Sequence, residues 1–263
     1  MPLDLGIAGK VAVITGGSAG IGRATARRFA LEGATVAICA RNAERLAATA
    51  RSLEEETGVP VLGVPADVRD PAQVDRLFDI IRERHGPVAI LVNNAGTAAA
   101  RRFDAVDDEA WQEDLNLKLL GAIRCSRRVL PDMREARWGR IVNLTAISGK
   151  TPGPGSLPTS VSRAAGIAFT KAFSKEVAGE GITVNTVCIG TVRSAQIDRI
   201  TQAMYPDFDL DRAYAERAAR EVPAGYIPDA DEAASLIAFL VSTLAGYLTG
   251  TAINFDGGAS PAI

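Results

Sequence analysis

The stretch Thr15-Gly-Gly-Ser-Ala-Gly-Ile-Gly22 lies between two segments of opposite hydrophobic period. Before it, residues 11–14 form a short apolar run, typical of a strand that is buried on both faces. After it, the apolar residues of 23–31 fall on one face of a predicted helix. Glycines between a strand and a helix let the backbone approach a pyrophosphate at the helix N-terminus. The stretch therefore predicts a dinucleotide-binding turn, with a purely structural turn as the alternative.

The composition limits the classes of function that the chain can have. A length of 263 residues suits one large α/β domain, here residues 1–263. The net charge of −2 predicts neither a nucleic acid nor a membrane surface as a partner. Cys39, Cys125 and Cys188 have neither metal-ligand nor redox-pair spacing, which predicts reduced thiols in a cytoplasmic protein without a metal site.

Strands alternate with helices along the rest of the chain, which predicts an α/β fold, a doubly wound parallel sheet with helices on both faces. The segment 193–224 is polar and aromatic, and we expect a substrate flap there, with a surface hairpin as the alternative. The predicted strands are 35–39, 59–64, 88–92, 140–144, 183–188 and 250–258, and the predicted helices are 43–56, 71–85, 109–134, 159–178 and 229–242.

Polar residues and glycines follow several of the predicted strands. Arg41 follows the second strand, which has no carboxylate at its end, and this favours a 2′-phosphate and hence NADP(H) over NAD(H); a solvated loop charge is the alternative. Asp67 follows the third strand and can accept from an adenine amino group or cap the next helix. Asn93-Asn-Ala-Gly96 follows the fourth, where small residues suit a flat ligand. Together with Gly190 and the glycine turn, these residues mark one ligand-binding edge of the sheet.

In these motifs the chain resembles the short-chain dehydrogenase/reductase family over essentially its whole length. The resemblance implies a Rossmann-like three-layer sandwich, NADP(H), a small-molecule substrate and a homo-oligomer, either a tetramer or a dimer. The matching motifs are Thr-Gly-x-x-x-Gly-x-Gly at 15–22, Asn-Asn-Ala-Gly at 93–96, the fifth strand at 139–143, the Asn-x-x-x-Pro-Gly turn at 185–190 with Ile189 where proline is usual, and the closing Asp-Gly-Gly at 256–258.

The resemblance also implies which residues hold the cofactor. The pyrophosphate turn would consist of Gly16, Ser18, Gly20, Ile21 and Gly22, and Arg41 would bind the 2′-phosphate. Asp67 and Val68 would lie beside the adenine, and Asn93, Ala95 and Gly96 along the ribose and nicotinamide. Arg163 would bind the nicotinamide ribose, and Gly190, Val192 and Ser194 would lie at the carboxamide and phosphates.

The catalytic positions depart from the family's Asn-Ser-Tyr-Lys set. Asn116 matches the asparagine, whereas Ala146, Thr159 and Arg163 stand at the serine, tyrosine and lysine positions. A threonine hydroxyl is a far weaker acid than a phenol, and an arginine stays protonated and does not pass a proton on. We therefore expect Asn116, Thr159 and Arg163 in the active site, with a non-standard proton donor.

Three functions remain open at this point. The first, which we expect, is an NADP(H)-dependent oxidoreductase acting on a carbonyl/alcohol pair. Its proton would come from Ser148, Ser160, Tyr205, Tyr214, a water held by Asn116, or the substrate. The second is a catalytically inactive NADP(H)-binding sensor or partner subunit. The third is an enzyme of another class on this scaffold, such as the halohydrin dehalogenases, which carry arginine at the lysine position but lose the cofactor turn.

Overall fold

A computed structural model describes residues 4–263, so the first three residues of the predicted domain lie outside the described part of the chain. Within it, the strands are β1 Val11–Thr15, β2 Thr35–Ala40, β3 Val61–Pro65, β4 Val88–Asn93, β5 Gly139–Ala146, β6 Ile182–Ile189 and β7 Ala252–Phe255. They form a seven-stranded sheet of order β3-β2-β1-β4-β5-β6-β7, and every pair of neighbours is parallel. The predicted doubly wound parallel sheet is confirmed.

The helices connect these strands and cover both faces of the sheet. They are α1 Gly20–Leu31, α2 Ala43–Thr57, α3 Pro71–His85, α4 Asp108–Leu115, α5 Gly121–Ala136, α6 Thr159–Val177, α7 Ala195–Met204, α8 Leu210–Glu221 and α9 Ala230–Val241. One layer contains α1, α2 and α9, and the other contains α3, α5 and α6.

The apolar run of β1 is continuous because each face of the sheet meets its own layer of helices. Ala12 and Ile14 pack in the core beneath α1 and α9, whereas Val11 and Val13 pack in the core beneath α3 and α5. Burying a large apolar side chain contributes about 1.5–3 kcal/mol. A strand in this position therefore favours apolar side chains on both faces.

The strand order places the crevice of the sheet between β1 and β4. The chain runs outward from β1 through β2 to β3, then crosses back to β4 on the other side of β1. At such a reversal the connections leave in opposite directions, and a crevice opens at the carboxyl ends of the two strands. The glycine turn after β1 and the Asn93–Gly96 motif after β4 both border it.

Two predicted segments differ from the structure in detail. The helix predicted over 109–134 is interrupted by a π-helical turn, Asn116–Leu120, between α4 and α5, in which the Gly121 N–H donates to the Asn116 carbonyl. The helical period alone predicts a continuous helix and does not distinguish a single π-helical turn from an α-helical one. The segment 193–224, where we expect a substrate flap, contains the two helices α7 and α8. None of the helices within residues 4–263 has the length and apolar character needed to cross a bilayer.

Candidate active site

A cleft of about 900 Å³ opens at the carboxyl ends of the strands. Its walls come from the glycine turn, the loops after β2, β3, β4 and β5, the start of α6, and the segment that leads from β6 into α7. Of the residues predicted to bind the cofactor, the wall contains Gly16, Ser18, Gly20, Ile21, Arg41, Asp67, Val68, Ala95, Gly96, Arg163, Gly190, Val192 and Ser194.

The glycine turn after β1 lies very close to the loop after β4. Gly16 has a φ of +67°, and a Cβ there would lie 2.9 Å from Asn94 Nδ2. Thr15 Oγ accepts from the backbone N–H groups of Asn94 and Ala95, both at 3.0 Å, which joins the ends of β1 and β4. No side chain caps the first turn of α1, so its N-terminal N–H groups face the cleft and can bind an anion.

Two predicted cofactor residues do not reach the cleft wall. Asn93 is buried, and its amide donates to Asn143 Oδ1 at 2.8 Å beneath the sheet edge, because successive side chains of a strand point to opposite faces. Asn94 lies on the wall instead. Gly22 is also buried, and a Cβ there would overlap Asn94 Nδ2 and the Gly16 carbonyl oxygen. Asn93 and Gly22 therefore support the site from behind, which corrects the prediction of direct contact.

The adenosine end of the cleft carries two exposed arginines. Arg41 forms no ion pair within residues 4–263. Arg45, which the motif analysis missed, donates to Ser18 Oγ at 3.1 Å. The nearby carboxylate of Asp67 is paired mainly with Arg69, whose Nη2 donates to Asp67 Oδ2 at 2.7 Å. Burial of Asp67 works against ionisation, but the hydrogen bonds from Arg69 outweigh it and lower the pKa of that carboxyl. The arrangement is suited to a phosphate group.

Arg163 lies at the other end of the cleft with donors to spare. Its Nη1 donates to the Leu144 carbonyl at 2.7 Å, and a Cβ on Gly96 would lie 2.8 Å from its Nη2. Its Nε is buried without a hydrogen-bond partner in the described part of the chain. Burial lowers the pKa of Arg163 to about 10, a value at which it remains protonated near neutral pH. A polar ligand beside Gly96 would satisfy these donors.

Thr159, at the first turn of α6, presents its hydroxyl to the cleft and binds a buried lysine behind it. Thr159 Oγ accepts from Lys118 Nζ at 2.9 Å and from the Ala99 N–H at 3.2 Å. The loop that carries Ala99 is fixed by two backbone hydrogen bonds between Arg101 and Leu157. For the Thr159 hydrogen itself, the structure of residues 4–263 offers no acceptor, so the hydrogen is free to point into the cleft.

Besides Arg45, a second residue beside the site, Lys118, is not predicted from the sequence motifs. Its side chain is only 1 % exposed and pairs with Asp114 one turn earlier. Burial, and then the charge of Arg163, lower its pKa to about 8 although the Asp114 carboxylate opposes the change. An acid and a base four residues apart on a helix are ordinarily a surface pair. The sequence indicates a place for Lys118 near the site only through its position two residues after Asn116.

Asn116 does not reach the cleft with its side chain, which corrects the expected catalytic contact. Asn116 Oδ1 accepts from Arg124 Nη1 at 2.6 Å. Two residues apart on a helix point to nearly opposite sides, so when Lys118 faces Thr159, Asn116 faces away. A water held by Asn116 as the proton source therefore stays a prediction, and the Asn116 side chain does not line the cleft.

The other suggested proton donors also lie outside the cleft wall. Tyr214 is 2 % exposed and donates to Asp198 at 2.7 Å; burial, followed by this hydrogen bond, raises its pKa to about 12. Ser160 is buried, Tyr205 stacks on Phe208, and neither contributes to the wall. Ser148 is absent from the wall as well. Among the suggested protein groups, none of these four presents a hydroxyl to the cleft.

Comparison with known proteins agrees with this geometry. The model of the family described as short chain dehydrogenase matches residues 10–204. The chain is 35 % identical to a putative ketoacyl reductase of Streptomyces coelicolor over 252 residues, which is 95 % of this chain and 96 % of that protein.

Two solved structures superpose closely. One is L-sorbose reductase from Gluconobacter frateurii with NADPH and L-sorbose, which has a TM-score of 0.94 and 35 % identity over 99 % of this chain and 100 % of that one. The other is an NADPH-bound short chain oxidoreductase from Pseudomonas aeruginosa described as containing an atypical catalytic center, with a TM-score of 0.91 and 35 % identity over 98 % and 99 % of the two chains. With its sheet, its glycine turn and its cleft, this chain belongs to the short-chain dehydrogenase/reductase family of NAD(P)-dependent oxidoreductases acting on CH–OH groups.

Proposed function

We propose that this chain is an NADP(H)-dependent reductase of a carbonyl compound, in which Thr159 donates the proton and Lys118 replaces it. The observation that supports this is that Thr159 Oγ accepts two hydrogen bonds, from Lys118 Nζ and from the Ala99 N–H. A hydroxyl has two lone pairs and one hydrogen. With both lone pairs engaged, the hydrogen is left for an acceptor in the cleft, such as a substrate carbonyl oxygen.

Lys118 compensates for the weak acidity of threonine. As Thr159 gives its hydrogen to the substrate oxygen, Lys118 passes a proton to Thr159 Oγ, so no free alkoxide has to form. A pKa of about 8 makes Lys118 a competent acid near neutral pH, and the net change is the loss of one proton from its ammonium group. The nearby charge of Arg163 stabilises the negative charge that develops on the oxygen.

The remainder of the cleft fits NADP(H), which supplies the hydride when it is bound. The uncapped start of α1 and the glycine turn suit the pyrophosphate, and the spare donors of Arg163 suit the nicotinamide ribose. The preference for NADP(H) over NAD(H) rests on Arg41 and Arg45, which lie together on the wall. The NADPH-bound reductases that superpose on this chain support the same cofactor.

We propose that the segment 193–224 acts as the flap over a small-molecule substrate. The beginning of this segment lies on the cleft wall, and a Cβ on Gly20 would lie 3.7 Å from Ser194 Cβ. The start of α7 therefore lies directly over the glycine turn. The compounds named for the relatives, ketoacyl groups and L-sorbose, define the carbonyl panel to be assayed first.

We also propose a homo-oligomer, either a dimer or a tetramer, located in the cytoplasm. The family resemblance supports the oligomer, and the three free, buried cysteines suit a reducing compartment. Sedimentation velocity on the purified protein tests the assembly, and a sedimentation coefficient of a monomer would contradict it.

The role of Thr159 is tested with a pair of substitutions that differ by one hydroxyl. Thr159→Val keeps the shape and removes the donor, whereas Thr159→Ser keeps the donor. We expect Thr159→Val to lower kcat for carbonyl reduction about 100-fold or more, with the Kd for NADPH unchanged, because general acid catalysis contributes at least that much. Thr159→Ser should retain most of the activity. The measurements are NADPH oxidation in the steady state and NADPH binding by fluorescence titration.

A Thr159→Val variant with the wild-type kcat would contradict the proposed donor. Tight NADPH binding by the wild-type protein without oxidation on any ketoacyl ester, ketose or quinone would contradict the reductase function and favour the sensor or partner subunit.

A further inference from the structure

The partner of Lys118 is a carboxylate buried as deeply as the lysine itself. The Asp114 side chain is 2 % exposed and the Lys118 side chain 1 %. Asp114 is in the last turn of α4, and Lys118 is in the π-helical turn that follows it. Removing a carboxylate and an ammonium from water costs several kcal/mol for each ion. An ordinary surface pair contributes about 0–1 kcal/mol, so stabilisation of the helix does not account for burying this one.

A second helix fixes the carboxylate from the other side. Ser162 Oγ, on α6, lies 2.6 Å from Asp114 Oδ2, while Lys118 Nζ contacts Asp114 Oδ1. Ser162 Oγ also lies 3.0 Å from the Thr159 carbonyl oxygen, but its single hydrogen favours the charged acceptor. Each oxygen of Asp114 therefore has its own donor. The carboxylate joins α4 to the same turn of α6 that carries Thr159.

The charges around Lys118 show why this carboxylate is required. From α6, the groups that face Lys118 are the hydroxyl of Thr159 and the guanidinium of Arg163. From α4, the charged group that faces Lys118 is Asp114. Within residues 4–263, Asp114 is thus the one anion paired with Lys118, against a second cation nearby. Without it, a buried ammonium would face an arginine with no counter-charge.

We propose that Asp114, anchored by Ser162, is a positioning residue that holds the Lys118 ammonium against Thr159 Oγ and keeps it charged until the hydroxyl takes up a proton. The proposal deepens the function proposed above and rests on it. Asp114 does not line the cleft and contacts neither Thr159 Oγ nor the space for substrate, so it acts only through Lys118.

The first test measures Lys118 directly, apart from activity. The chain has five lysines, so ¹³Cε-labelled lysine gives a small set of NMR signals, and the one lost in Lys118→Met identifies Lys118. We expect the pKa of Lys118 to fall by about 1 unit or more in Asp114→Asn, because an adjacent opposite charge shifts a pKa by that amount. Asp108→Asn, the same change at an exposed position of the same helix, should leave it unchanged. An unchanged pKa of Lys118 in Asp114→Asn overturns the proposal.

The second test links the titration to catalysis. Because the protonated lysine is the active form, kcat for reduction should fall as the pH rises through the pKa of Lys118, which is about 8 in the wild type. In Asp114→Asn this fall should move to lower pH together with the NMR midpoint, while the Kd for NADPH stays the same. If the NMR midpoint moves and the pH dependence of kcat does not, Lys118 is not the acid. That outcome contradicts the proposed function, while the hold of Asp114 on Lys118 stands.

Ser162→Ala covers the case in which Asp114→Asn does not fold. It leaves both charges in place and removes only the anchor of the carboxylate. We expect kcat to fall about 5- to 10-fold, the effect of losing one hydrogen bond to a charged group, with unchanged NADPH binding and a changed Lys118 ¹³Cε shift. Wild-type values of both kcat and the Lys118 shift in this variant would overturn the anchoring role.

Discussion

At the scale of single residues, the charged groups at the two ends of the cleft differ in their exposure to solvent. Arg41 and Arg45 lie together on the wall after β2, and within residues 4–263 Arg41 has no salt bridge to a carboxylate. The half-buried Arg163 and the buried Lys118 lie at the other end, near a single carboxylate, Asp114. Exposed arginines can bind an anion at low cost because their desolvation is small. In the buried pair of Lys118 and Asp114, burial changes the acidity of the lysine.

The proposed preference for NADP(H) rests on the first of these groups. Arg41→Ala should raise the Kd for NADPH about 10-fold or more and leave the Kd for NADH unchanged, because a charge-assisted hydrogen bond to the 2′-phosphate is lost. Arg51→Ala, an exposed arginine on α2 outside the cleft wall, is the matched control. Fluorescence titration with both nucleotides measures the ratio, and an unchanged ratio would refute the role of Arg41.

At the scale of elements, the site depends on how closely the turn after β1 meets the loop after β4. Asn94 Nδ2 donates to the carbonyls of Thr15 and Gly16, at 2.9 and 3.2 Å. Gly22, at the start of α1, packs against the same amide group. Three elements thus meet around one side chain that also lies on the cleft wall.

Adding one methyl group at Gly22 tests how closely these three elements must pack. Gly22→Ala should raise the Kd for NADPH at least about 10-fold and lower the stability by about 1–3 kcal/mol, because the new Cβ overlaps Asn94 and the backbone of Gly16. Gly153→Ala is the control, since a Cβ there meets nothing within 4 Å. Thermal unfolding and NADPH titration measure the two effects. A Gly22→Ala variant that binds NADPH like the wild type would show that the turn tolerates displacement.

At the scale of the whole molecule, the cleft joins segments from most of the chain length, from the glycine turn to the start of α7. A ligand bound there links those segments and so favours the folded state. At 100 times its Kd, NADPH should stabilise the protein by about 2.7 kcal/mol, which corresponds to a rise in Tm of roughly 5–10 °C. Differential scanning fluorimetry measures this, with Arg41→Ala at the same NADPH concentration expected to show a smaller rise. A wild-type Tm that is independent of NADPH would argue against the cofactor site.

The sequence by itself determined the architecture and the edge of the sheet that carries the site. Buried parallel strands, a glycine turn and polar residues at strand ends are local patterns, and in a parallel sheet their carboxyl ends must meet. The departures at Ala146, Thr159 and Arg163 were likewise readable position by position. What they did not reveal was a source for the proton.

Only the tertiary structure supports the proton source that we propose. Whether Lys118 faces solvent or is buried behind Thr159 depends on a π-helical turn and on packing against α6, where Thr159 lies 41 positions further along the chain. The same turn directs the Asn116 side chain toward Arg124 and the Lys118 side chain toward Thr159. The direction of a side chain on a helix depends on the geometry of its turn and on the residues that pack against it. The local sequence pattern determines neither of these.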